Sequence, residues 1–503
     1  MYRASRHVFH VIMALVLLLP DGYAPRASQW FVSPEGTSTN EGTIDSPWDL
    51  TSAITPGKPV KGGDVIWLRR GTYRNDRSEF TARISGERNR PVIIRNYRNE
   101  RATIDGAVTV DGNDLWVWGL EVLISAPRPD RPLPAGSSPP ELKRPAGGFH
   151  GNRGQRTKII NCIVHDNNQG FSYWLGATDA EIYGCVIYRN GWVGVDRTHG
   201  HAIYTQNDTG TKRIVDNIMF DPYSYLLHAY GSSRAYVNGY YVEGNMFLGG
   251  PVLIGGGKPS ERIAFINNYT YKAPVQFGYN APYNYAMRCE RNYFASTVSV
   301  NRYHTVVMTQ NDFVATSRGD ISPPKTTQSL DIQWDHNRYV DVSAARLTQW
   351  QQKTGYDRNS AVTVSPAGRP QRNLIVVRPN QYEPGRANVA VYSWEGNAAV
   401  ELDLSNVLKR GQPFQVRNVQ DFYGNSVAKG TYNGEKITVP LLRGSKKIEL
   451  RLPGDPTQRV WHTVGDYPDC DAFVVLPVVN GREASTSAKT AIITDGTGIA
   501  NEE

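Results

Sequence analysis

The chain has 503 residues, 40% of them hydrophobic, with 47 glycines, 31 prolines and only four cysteines. That composition excludes a disulfide scaffold and a helical bundle, and points to a large strand-and-turn protein held together by burial. The formal charge of +8 suits an anionic partner such as an acidic polysaccharide, whereas the lack of a long Lys/Arg run argues against nucleic acid; a monomer is expected.

Arg3, Arg6 and His7 precede an apolar run at 11–19 and the helix-breaking Pro20. This is the layout of a secretory signal and is too short to span a membrane. Residues 1–27 are therefore expected to be removed on export, leaving a secreted or periplasmic protein. The segments FVSPEGTSTNEGTIDSPWDLTSAI, GGDVIWLRRGTYR and RPVIIRNYRNERATIDG follow. Their short β-branched and aromatic runs, broken by Gly, Asn, Asp and Pro, read as strand, turn, strand.

A turn followed by apolar residues recurs at Asn161, Gly184, Asn217, Asn245, Asn268, Asn292, Asn311 and Asn337, in steps of 23, 33, 28, 23, 24, 19 and 26 residues. A period of about 22–28 residues suits one coil of three short strands, which buries its apolar face only by stacking on the next coil. A propeller blade needs four strands and a longer repeat. Asparagine suits the anchor because it tolerates left-handed backbone angles and its amide can bond the asparagine one coil on. Cys162 and Cys185 fall at equivalent places in successive coils, near enough for a disulfide or for two stacked thiols.

The N-terminal pattern of Gly42 and Thr43 with Pro47 and Trp48, Gly63 and Asp64 before Ile66, Trp67 and Leu68, then Gly71, Thr72 and Tyr73, and Ile104, Asp105 and Gly106 resembles the first coils of secreted β-helix proteins, a group rich in polysaccharide lyases and glycoside hydrolases. The resemblance covers residues 30–345. It implies an all-β chain with a right-handed parallel β-helix over 28–345 and an activity on polysaccharide.

Two irregularities interrupt the coils. Residues 125–148 are too rich in proline for a ladder strand and are expected to form a surface loop walling one side of a cleft. The step from Gly184 to Asn217 is the longest, and its extra residues gather around 196–200; insertions in a regular scaffold are where function tends to sit. From Arg372 onward the coil period gives way to hairpin-like alternation (LIVVRPN, ANVAVYSW, AVELDLS, PFQVRNVQD, KITVPL, KIELRLP). This predicts a small antiparallel β-sandwich at 372–455, similar to accessory domains of glycosidases, after a connection at 346–371. Residues 456–503 are expected to be a partly flexible extension.

The polar residues that could carry chemistry concentrate in the two coils around the long step. If Ile203, Thr205, Leu227 and Ala229 face inward, then Tyr204, Gln206, His228 and Tyr230 face outward as two stacked pairs. The same parity is expected to turn Tyr173 outward. Gly255, Gly256 and Gly257 would leave a bare floor beside Lys258. An aromatic groove with polar edges suits sugar rings, with Tyr173, Tyr204, Gln206, Lys258 and His199 as binding residues.

The leading reading is β-elimination on a uronate polymer. His228 or Tyr230 would take the C5 proton, and Arg197, Lys258 or His201 would hold the resulting anion. The rival is glycoside hydrolysis through a carboxylate pair about 5–9 Å apart. Asp196 is its best member, with Asp179, Asp208, Asp221 and Glu243 at turns, and the paired-aspartate, Gly-His-Gly pattern of polygalacturonases is absent. A non-catalytic carbohydrate-binding β-helix is the third reading, but it predicts aromatics spread over many coils. Taken alone, His201 also fits an inward core position. No metal is assigned: His199, His201 and His228 are candidate ligands, and calcium, which the resemblance allows, would rely on Asp196, Asn207 and Asp208.

Overall fold

A computed structural model of the chain describes residues 27–126, 131–142, 147–279, 283–314, 331–340, 344–363, 369–442 and 467–478. The signal expected at 1–27 thus lies almost wholly outside the described residues, as do 479–503 of the expected tail and parts of the proline-rich stretch. Among the described residues, no helix is long and apolar enough to cross a membrane.

The described residues between Gln29 and Thr363 wind into a parallel β-helix, as the coil period predicts. A complete turn visits three sheets in order. Among the described residues the first has twelve strands, from Gln29–Val32 to Asp331–Asp335; the second has twelve, from Gly71–Tyr73 to Ala361–Thr363; the third has nine, from Glu79–Ala82 to Val298–Val300. One coil reads Lys158–Ile160, Ile163–His165, Phe171–Tyr173. Parallel neighbours cannot be joined by hairpins, so the remainder of each coil serves as the crossover. The inward side chains form one continuous core. Within it Phe247, Phe265, Phe294, Phe313 and Tyr339 stack along the axis with ring centroids 5.1–6.1 Å apart.

The asparagine anchors form a buried ladder. The Asn217 amide donates to Asn245 at 2.9 Å, Asn245 to Asn268 at 3.0 Å, Asn268 to Asn292 at 3.1 Å, Asn292 to Asn311 at 2.9 Å and Asn311 to Asn337 at 3.1 Å. The left-handed backbone expected of these asparagines belongs to the preceding residue instead: Asp216, Gly244, Asn267, Arg291, Gln310 and His336 have φ between 52° and 68°. Asn161 (φ 54°) and Gly184 (φ 64°) are themselves at this left-handed position. Cys162 and Cys185 therefore occupy the ladder site in their coils, fully buried as free thiols, and the Asn217 side-chain Oδ1 caps the column by accepting from Cys185 N.

The C-terminal unit is antiparallel, with a five-stranded sheet and a two-stranded one among the described residues. Two of its boundaries differ from the expectation. The connection at 346–371 contains most of the helix Ala344–Thr354 and the strand Ala361–Thr363, which adds to the second sheet. Cys470–Pro477, placed in the extension, is the middle strand of the five, between Ala387–Tyr392 and Pro413–Asn418. The unit covers the outer face of the second sheet: Ile218, Phe220, Met246 and Leu248 share one apolar cluster with Tyr392, Trp394, Ala472 and Val474. Trp394 donates to the Tyr293 hydroxyl at 2.8 Å, the Tyr467 hydroxyl to Asp221 at 2.5 Å, and Arg378 pairs with Asp216. On the third sheet Thr81, His150, Tyr204, His228, Gln276 and Ser299 are half-buried.

Candidate active site

The outer face of the third sheet carries one residue from each coil in strict register: Thr81, Thr109, His150, Ser172, Tyr204, His228, Leu253, Gln276 and Ser299. Tyr204 thus lies beside His228, and Gln206 reaches the next coil by donating to the Tyr230 carbonyl at 3.3 Å. Ile203, Thr205, Leu227 and Ala229 are buried on the other face. The parity expected for these two coils is the one observed.

Tyr173 departs from it. Phe171 pairs with Ile203 and Tyr173 with Thr205, so Tyr173 is 1% exposed and belongs to the core, and Ser172 takes the outward place. A one-residue slip exchanges the two faces, and here it comes from a link to the third sheet one residue shorter than that of the coil after Asn217: Ile163 aligns with Ile218 and Phe171 with Leu227. The outward aromatic of this coil is Trp174, whose ring meets Tyr204 edge-on at 5.1 Å. His150 was not foreseen because the proline-rich stretch hides the period of its coil.

The extra residues of the long step fold as an antiparallel hairpin, Trp192 opposite His199 and Val193 opposite Thr198, with Gly194 N bonded to Arg197 O across the turn. Residues 133–136 of the proline-rich stretch lie against it. Leu133 exchanges backbone bonds with Val193 and Val195, and Gly136 N donates to Asp196. His199 is 3% exposed, stacked on Trp192 at 5.1 Å and bonded through Nε2 to Asp196 at 2.9 Å. His199 thus faces the hairpin and not a ligand surface. Burial opposes ionisation of Asp196, but His199 and the Gly136 N–H together hold its carboxyl below the usual range. Arg197 stands exposed at the hairpin tip, with no carboxylate partner among the described residues.

Below that tip the aromatic rings converge on His228. Tyr225 and Tyr230 lie parallel to its imidazole at 4.3 and 4.9 Å, and Tyr204 is stacked at 5.0 Å. His201, half-buried, joins them on the outside of the coil: its Nε2 meets His228 Nδ1 at 3.1 Å, and its Nδ1 accepts from Tyr225 N at 3.2 Å. Burial lowers the pKa of His228 to about 3, and the charge of Arg197 adds to this. Burial likewise pushes His201 well down, with His228, His199 and Arg197 as further causes. Burial raises the hydroxyls of Tyr204 and Tyr225. Both imidazoles are therefore biased toward the neutral form. The row ends at Tyr279, 39% exposed and edge-on to Tyr230 at 5.4 Å.

The glycines do not form an open floor. A Cβ on Gly256 would come within 2.0 Å of the Gly231 carbonyl, and one on Gly255 within 2.7 Å of Gly278, so close backbone approach between coils requires them. Lys258 stands over the Tyr236 ring at 4.0 Å, and no contact joins it to the His228 group.

The carboxylates are dispersed. Asp221 is bonded to Tyr467 beneath the C-terminal unit, Glu243 to Tyr241, Asp179 to Thr211 N, and Asp208 lies 3.5 Å from the Asn238 amide. No group of three His, Cys, Asp or Glu side chains able to hold a metal occurs among the described residues. With Asp196 engaged by His199, the set Asp196, Asn207 and Asp208 does not fit calcium, whose shell needs convergent oxygens; the Asn207 amide donates to Asn238 O inside the coil.

No family model matches the chain. It is similar to pectate lyase L of Thermoclostridium stercorarium, 28% identical over 266 residues, covering 46% of this chain and 20% of that protein. It is also similar to pectate lyase PEL9 of Emericella nidulans, 36% identical over 80 residues, covering 16% and 19%. The chain thus spans about a fifth of the length of these curated relatives. Among solved structures, pectate lyase Pel9A has a TM-score of 0.34 at 14% identity, covering 67% of this chain and 77% of that one. The GH136 lacto-N-biosidase from Eubacterium ramulus has 0.35 at 13%, covering 67% of each.

Proposed function

We propose that the protein is an exported polysaccharide lyase that cleaves a uronate-containing glycan by β-elimination on the outer face of the third sheet. One observation carries the reading: His228 and Tyr230 stand side by side on that face, beneath the unpaired cation of Arg197, with no carboxylate pair beside them among the described residues. Elimination needs a base at C5 and positive or hydrogen-bonding groups on the carboxylate, and it needs no second acid. The base takes the C5 proton, the C5–H electrons become the C4–C5 double bond, and the C4–O bond breaks with its pair on the leaving oxygen, which is then protonated. Trp174, Tyr204 and Tyr279 supply ring faces and edges for neighbouring sugars. The pectate lyase similarity supports the same class of reaction.

Hydrolysis would need two carboxyls flanking one bond, and the nearest candidate, Asp196, is held by His199. Incubation with a panel of uronate polymers tests the proposal. Unsaturated ends absorbing in the ultraviolet are expected; new reducing ends without that absorbance would favour hydrolysis, and binding without turnover would favour a carbohydrate-binding role.

A further inference from the structure

The hydrogen bonds around His228 fix which of its nitrogens carries the proton. Tyr225 N is a backbone amide and can only donate, so His201 Nδ1 accepts and holds a lone pair. A neutral His201 then carries its hydrogen on Nε2, the atom 3.1 Å from His228 Nδ1. His228 Nδ1 must therefore accept, and a neutral His228 carries its hydrogen on Nε2. That atom has no partner among the described residues. Tyr204, Tyr225 and Tyr230 enclose the ring, and the charge of Arg197 opposes an imidazolium there.

This wiring restricts the chemistry. With a hydrogen on Nε2, His228 offers the substrate no lone pair and cannot remove the C5 proton. Giving the Nε2 proton away would leave an imidazolate unless His201 passed its own proton on, and His201 cannot be resupplied from an amide N–H.

We propose that His228 acts as a fixed neutral hydrogen-bond donor to the uronate carboxylate and exchanges no proton during turnover, with His201 as the positioning residue that sets its tautomer. The inference rests on the lyase reading. Charge that develops on the carboxylate as the C5–H bond breaks meets the Nε2–H and the Arg197 guanidinium. Tyr230 is then the base: its hydroxyl oxygen takes the C5 proton while its own O–H proton passes to the leaving oxygen as the C4–O bond breaks, so the residue ends as it began.

Two measurements on the full chain test this. In long-range proton–nitrogen spectra of nitrogen-15 histidine-labelled protein, His228 should be neutral and protonated on Nε2 from about pH 5 to 8; in His201→Phe its tautomer should become mixed. An Nδ1–H or cationic His228 in the unmodified protein would overturn the proposal, whether or not the protein is a lyase. In turnover, His228→Gln keeps a side-chain N–H donor and no base. It should exceed His228→Ala in kcat by about tenfold or more, with equal melting temperatures. Equal loss in both variants would overturn the donor role. A protein that makes no unsaturated product from any uronate polymer, yet shows the expected tautomer, would refute the lyase reading and leave the wiring standing.

Discussion

His199 and Asp196 are bonded to each other, Nε2 to Oδ1 at 2.9 Å, with the His199 ring flat on Trp192. Both belong to the sequence's candidate set, and the structure uses them to close the hairpin whose tip carries Arg197. Asp196→Asn keeps a hydrogen-bond acceptor at that place. It should retain at least about a tenth of the parent kcat, whereas a hydrolytic carboxylate would lose orders of magnitude. Turnover on the best uronate polymer distinguishes the two.

Arg197 is exposed and lacks a carboxylate partner, so its role should read out in binding of charge. Arg197→Ala is expected to raise KM for an anionic glycan by about tenfold and to weaken the salt dependence of kcat/KM, since a rim cation acts through a screened field. An unchanged KM and an unchanged salt slope would remove Arg197 from the site.

The asparagine ladder should be the most sensitive part of the scaffold. Asn268 accepts from the N–H and amide of Asn245 and donates to Val242 O and Asn292, all without solvent. Asn268→Ala strands several of these groups at about 1–3 kcal/mol each, so a loss of about 3 kcal/mol or more is expected by denaturant unfolding. A change under about 1 kcal/mol would mean that the ladder is not a principal tie.

These residues also show what was legible in advance. The ladder and the coil period were, because one polar residue recurring at a fixed step among apolar runs has few other structural meanings. The parity of 203–205 and 227–229 was too. Tyr173 was misplaced because the link between the second and third sheets is one residue shorter in its coil than in the coil after Asn217, so counting from the ladder site turns Tyr173 outward in place of Ser172. Cys470–Pro477 was missed because its run is apolar apart from the buried Asp471: it packs between two sheet neighbours and over the β-helix, so the alternation that marks a half-exposed strand is absent. The contacts of His201 were beyond reach, since they depend on how a fourteen-residue link at 189–202 folds back.

A separate acid-sensitive tie lies under the second sheet. Burial would raise the pKa of Glu121, yet His165, Arg101 and Thr103 hold it at about 2 against 4.5. A carboxyl lowered in the folded state stabilises above its unfolded pKa, and that contribution is lost as pH falls through the folded one. Stability should therefore decline between pH 4.5 and 2, and Glu121→Gln should be less stable at neutral pH with a flatter decline. A parallel decline in both proteins would place the acid sensitivity elsewhere.

The most direct test of β-elimination is the mass of the products formed from a uronate polymer in oxygen-18 water. Elimination breaks the C4–O bond without adding water, so one product end should be lighter by one water than its saturated counterpart, with no heavy oxygen incorporated in the cleavage step. Saturated products carrying one heavy oxygen per cut would contradict it.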